Sequence, residues 1–133
     1  MDKLTIASAS PVTHSRLRVL VAEKDPMLRR LFKTCLEQKG HQVIEATHVL
    51  QVYNLLSKPS ETFDLAVIDL LMPRPETTTL ISSIWIENPM TSVVLIFSDA
   101  FELYHLPGVT SLAKPFATEE LLSRVEQVLA ARA

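Results

Sequence analysis

Two rhythms of apolar and polar positions alternate along this chain. Val19-Leu20-Val21-Ala22 and Leu65-Ala66-Val67-Ile68 are unbroken apolar runs rich in β-branched residues, the pattern of strands buried on both faces. Val93–Phe97 repeats the pattern. Gln42–Ala46 is more polar, which predicts a strand nearer a sheet edge, and Val109–Ala113 is a short fifth. Helical spacing fills the intervals. After Asp25-Pro26, a cap followed by proline at the first helical position, Leu28, Leu31, Phe32, Cys35 and Leu36 form one stripe that stops at Gly40. Val49, Val52, Tyr53, Leu55 and Leu56 form a second stripe, ended by Pro59. Thr77–Glu87 reads as a third helix, weakened by β-branched residues and halted before Pro89. The last helix begins at Thr118, carries Glu119 and Glu120 at its positive end, and presents Leu121, Leu122, Val125, Val128 and Leu129 for burial.

Strands alternating with helices imply an α/β protein with a parallel sheet covered on both faces by right-handed crossovers. Five strands in this arrangement predict a flavodoxin-like three-layer sandwich with sheet order 2-1-3-4-5. Residues 1–16, rich in Ser, Thr and Ala without periodicity, read as a flexible leader, and 17–133 as one domain. In the predicted order, Glu23, Asp69, Ser98 and Lys114 each end or closely follow a strand, and all four meet at one rim.

Composition narrows the classes. A chain of 133 residues with 47% hydrophobic and 21% charged content is an ordinary globular domain. A net charge of −2 without a Lys/Arg cluster gives no reason to expect nucleic acid or an anionic membrane as partner. No apolar stretch reaches bilayer length and no export signal is evident, which fits a cytoplasmic protein. Cys35 cannot form an internal disulfide and is expected as a buried thiol. The four histidines have no metal-ligand spacing, and surface or edge positions account for them; Trp85 reads as core packing. With two glycines, a phosphate-cradling glycine loop is ruled out. A phosphatase using an aspartate after a buried strand would want a second acid two residues on, and Leu71 is there instead.

Four segments in order carry a family resemblance: Val-Leu-Val-Ala-Glu-Lys-Asp-Pro (19–26), Asp-Leu-Ala-Val-Ile-Asp-Leu-Leu-Met-Pro (64–73), Val-Leu-Ile-Phe-Ser (94–98) and Lys-Pro-Phe (114–116). Over about residues 17–131 the chain resembles the receiver domain of bacterial two-component response regulators. The resemblance implies a non-enzymatic signalling module that acts through protein contacts. It matches Asp69 to the phospho-accepting aspartate, Ser98 to the hydroxyl that hydrogen-bonds the phosphoryl group, and Lys114 to its ammonium partner. Lys114-Pro115 matches a peptide bond often cis in the family. Glu23, Asp69 and the Leu71 backbone carbonyl match the magnesium ligands. Implied partners are a histidine kinase or phosphotransfer protein upstream and an unknown protein downstream, with a homodimer left open.

The chain also departs from that pattern. Lys24 stands where the family places a second acidic metal ligand. Exchanging a carboxylate for an ammonium changes the local charge by two units, and at ~4 Å with an effective dielectric of about 20 one unit interaction is worth about 4 kcal/mol. Magnesium is therefore expected to bind weakly or not at all, with Lys24 standing in its place as a built-in counter-ion to Glu23 and Asp69; the alternative is that Lys24 turns outward into solvent and Asp25 partly compensates. Asp99 follows Ser98 where a small residue is usual, Ser111 replaces a switching aromatic, and Glu76-Thr77 lacks a loop glycine. Fifteen residues separate Ser98 from Lys114, so the helix before Pro107-Gly108 is expected to be shortened to about two turns. Two functions stay open: a receiver phosphorylated on Asp69, and a phosphorylation-independent pseudo-receiver locked by Lys24.

Overall fold

The computed structural model describes residues 16–58, 62–72, 74–97 and 108–132. Five strands, β1 (Arg18–Glu23), β2 (Gln42–Ala46), β3 (Leu65–Asp69), β4 (Ser92–Phe97) and β5 (Val109–Ala113), form one parallel sheet in the order β2-β1-β3-β4-β5. The helices are α1 (Pro26–Gln38), α2 (Val49–Leu56), α3 (Arg74–Glu87) and α4 (Thr118–Arg132). This is the expected α/β order 2-1-3-4-5. The predicted leader, Ser98, Asp99 and the shortened helix before Gly108 lie outside the described residues.

Successive residues of a strand point to opposite faces, so each central strand feeds two cores. Val19 and Val21 of β1, with Leu65 and Val67 of β3, pack with Phe32 and Leu36 of α1 and Leu121 and Val125 of α4. The alternate residues Leu20, Ala22, Ala66 and Ile68 pack with Val52 and Leu56 of α2 and Leu80, Ile81 and Ile84 of α3. That is why these runs are apolar throughout rather than alternating. Each large side chain removed wholly from water contributes about 1.5–3 kcal/mol.

Local chemistry sets the helix ends. Asp25 caps α1, its Oδ1 accepting from the N–H groups of Met27 (2.8 Å) and Leu28 (3.4 Å), with Pro26 at the first position. Gly40, at φ 92°, lets the chain leave α1 while its N–H bonds Glu37 O at 2.9 Å and His41 N–H bonds Leu36 O at 3.2 Å. In α3 the hydroxyls of Thr79 and Ser83 donate back to the carbonyls of Pro75 and Thr79, each at 3.0 Å, so polar residues sit in the helix without orphaned groups.

Several expectations are corrected. The third helix starts at Arg74 rather than Thr77, so Glu76 and a buried Thr77 lie in its first turn and not in an altered loop. Cys35 is half-buried, at the margin of the α1 stripe, and Leu31 of the same stripe is 43% exposed. The stripe turns partly past the sheet because α1 covers it with Phe32 and Leu36. His41 is buried, not superficial: its Nδ1 accepts the Leu17 N–H at 3.2 Å. Trp85 packs on the α2–α3 core as expected and also donates its Nε1–H to Thr91 O at 2.9 Å.

Candidate functional site

Parallel pairing puts Glu23 and Asp69 opposite each other at the C-terminal ends of β1 and β3. Both lie on strands buried on each face, so both carboxylates are nearly sealed from solvent, each 3% exposed. Lys114 follows β5 and reaches across the sheet edge, placing Nζ 2.8 Å from Asp69 Oδ2. The Lys114–Pro115 peptide is cis. Beyond it Phe116 stacks on Phe32 of α1, ring centroids 6.0 Å apart, and so ties the segment that carries Lys114 to the core. Glu23, Lys24, Asp25, Pro26, Leu28, Asp69, Leu71 and Lys114 line one open cavity of about 440 Å³.

Glu23 is held from both ends. Its Oε2 accepts the Asp25 N–H at 2.9 Å. Its backbone carbonyl accepts from Arg29 Nη1 at 3.0 Å, while Arg29 Nε pairs with Glu45 Oε1 at 3.1 Å. Sequence reading did not single out Arg29. Its position one turn into α1, behind an acidic strand end, is the signal that could have found it.

Burial and the neighbouring Asp69 carboxylate dominate the electrostatics. Desolvation first, and then the hydrogen bond that a protonated Glu23 makes to Asp69, push the Glu23 carboxyl up to about 8; the Asp25 N–H and the Lys114 charge oppose this only in part. Two carboxylates facing one ammonium thus share the site with a proton. Glu23 Oε1 and Asp69 Oδ2 receive no hydrogen bond from a protein N–H or O–H. Lys114 meets Asp69 Oδ2 as an ion pair at 2.8 Å.

Lys24 is not that counter-ion. Its side chain is exposed at the cavity mouth and pairs with no carboxylate among the described residues, so the role expected of it at rest falls to Lys114. The reason is geometric. Lys24 sits between two residues whose side chains are anchored, Glu23 pointing inward and Asp25 turned to cap α1. Asp25 lines the cavity too, but its Oδ1 is engaged at the start of α1.

Receiver domains typically bind magnesium, and the donor set here can be tested against that ion. Glu23 Oε1 and Asp69 Oδ2 are buried oxygens without a geometric hydrogen bond, the kind of donor a hard cation takes, but Asp69 Oδ2 already faces the Lys114 ammonium. The remaining wall carries Lys24, Asp69 is already paired with Lys114, and no three His, Cys, Asp or Glu side chains converge among the described residues. These residues do not fit a magnesium site of ordinary strength.

Comparison with known proteins agrees with the fold. A sequence model described as "Response regulator receiver domain" matches residues 19–126. The chain is 27% identical over 119 residues to the transcriptional regulatory protein PhoP of Escherichia coli K12, covering 85% of this chain and 52% of that protein. It therefore spans about half the length of that relative. Among solved structures it resembles the receiver domain of the hybrid histidine kinase CckA, with TM-score 0.69, 28% identity, and 84% of this chain and 98% of that one covered. It also resembles a response regulator receiver protein of Sinorhizobium medicae WSM419, with TM-score 0.75, 24% identity, and 89% and 98% covered.

Proposed function

The chain belongs to the response regulator receiver domain family, and from that premise we propose that it receives a signal as a phosphoryl group on Asp69 and passes it on through protein contacts. Receiver domains of this kind are signalling modules of two-component systems rather than enzymes. What supports Asp69 as acceptor is one observation: a buried carboxylate at the end of a central strand, opening into a cavity, with an ammonium 2.8 Å from it. An ionised carboxylate is a competent nucleophile toward phosphorus, and a fixed ammonium offsets charge on the transferring oxygens without reorganising.

The upstream partner in this reading is a histidine kinase or phosphotransfer protein, consistent with the likeness to a domain of a hybrid histidine kinase. Ser98, which directly follows β4, is assigned the hydroxyl that answers the phosphoryl group. The downstream partner is another protein, or another part of a longer chain, and the setting is the cytoplasm. No helix among the described residues is long and apolar enough to cross a membrane.

The test is incubation with acetyl phosphate followed by intact-mass measurement. A stoichiometric phosphoryl adduct that disappears in Asp69→Asn supports the reading. One observation favours a second reading, a pseudo-receiver that signals without phosphate: Lys24 replaces an acid at the rim and Asp69 is already charge-paired. Native chain that stays unmodified with small donors and with phosphorylated partner proteins would favour it.

A further inference from the structure

Not every charge at the rim has an ion-pair partner among the described residues. Asp69 has its ammonium in Lys114, and the Asp25 carboxylate is occupied at the start of α1. Lys24 alone of the cavity's lysines is exposed and has no carboxylate partner among the described residues, yet it lines the same cavity as Asp69. A phosphoryl group entering that space brings negative charge to a wall where Lys24 is, among the described residues, a cation without a carboxylate partner. A lysine stem has four carbons and a freely rotating ammonium, so Nζ can follow the oxygens of a group that arrives and leaves.

We propose that the Lys24 ammonium supplies to the transferring phosphoryl group the positive charge that a divalent cation brings in other receivers, so that Asp69 is phosphorylated without metal. The inference rests on the reading of Asp69 as the phospho-acceptor. In the step itself an ionised Asp69 oxygen forms a bond to phosphorus. The bond from phosphorus to the leaving oxygen or nitrogen breaks, and its electron pair departs with the leaving group. Acetate needs no proton; an imidazole leaving group takes one from solvent. Lys114 and Lys24 then flank an acyl phosphate, and the misfit between this donor set and magnesium becomes the working arrangement.

The experiment measures the rate of the phosphoryl adduct from acetyl phosphate by intact mass, in excess chelator and in magnesium, for the native chain and for Lys24→Ala, Lys24→Arg and Lys24→Asp. Lys24 is exposed, and thermal melts verify that each variant is folded. The native chain is expected to label in chelator within about twofold of its rate in magnesium. Lys24→Ala should lose about tenfold or more in chelator, as for a lost charge stabiliser screened by water, and Lys24→Arg should retain most of the rate. Lys24→Asp should label only with magnesium. A native chain that labels only with magnesium, or a Lys24→Ala rate in chelator equal to native, overturns the inference and leaves Asp69 as acceptor. No adduct under any condition overturns both.

Discussion

Glu23 and Asp69 face each other in register across two adjacent buried strands, two carboxylates at one strand-pair terminus with the Lys114 ammonium paired to Asp69. The pair stores a proton, and the consequence is a pH dependence of stability with a definite sign. Glu23 is raised from 4.5 to about 8, so the folded chain holds its proton more tightly than the unfolded one. Stability from this group is fully present below pH 4.5 and is lost as pH rises through about 8.

Glu23→Gln, which keeps the shape and removes the titration, should flatten that slope. In urea melts with chelator present, the variant is expected to match the native chain at acidic pH. Above pH 8 it should exceed it by about 1–3 kcal/mol, because no buried charge remains to be desolvated. Parallel pH profiles for the two proteins would count against the shared-proton account.

Phe116→Leu should separate positioning from stability. The Phe32–Phe116 stack holds the segment that delivers Lys114, and Phe116 is only half-buried, so a loss of about 1 kcal/mol is expected in denaturant melts. Labelling of Asp69 should fall by more than that stability loss explains, since the ammonium is no longer held. Phe32→Ala, at a wholly buried position, should cost about 3–5 kcal/mol.

Asp25→Ala removes the α1 cap and should cost about 1 kcal/mol, whereas Asp25→Asn or Asp25→Ser should retain most of the stability. Because Asp25 Oδ1 is engaged at the start of α1, the rate of Asp69 labelling by acetyl phosphate should be unchanged in Asp25→Asn. A clear change would mean that this carboxylate also acts on the site.

Arg29→Met keeps the aliphatic packing and removes the bonds to the Glu23 carbonyl and to Glu45. The expected loss is about 1–2 kcal/mol, most of it from the carbonyl left without its charged donor. The Glu45 pair is partly exposed and should add little, so Glu45→Gln alone should fall within about 0.5 kcal/mol of native.

Part of this arrangement is written in local chemistry. Val19–Ala22 and Leu65–Ile68 announce double-sided burial by themselves, and the Asp25-Pro26 and Gly40 signals bound α1 correctly, because caps and apolar runs are local chemistry. Periodicity marks the third helix only from Thr77, three residues after its Arg74 start, because Arg74, Pro75 and Glu76 carry no apolar period to mark a first turn. His41 gave no sign of burial, since its partner is the Leu17 backbone 24 positions away.

The chain by itself determined which residues end the strands and in what order those strands lie, for periodicity and crossover handedness leave little freedom. Only the folded arrangement decided how the charges are shared. It set Lys114 rather than Lys24 against Asp69, turned Asp25 into a helix cap, and left Glu23 with a proton. The physical reason is that pairing among neighbouring charges depends on ångström-scale direction and on burial, which residues distant in sequence impose on one another.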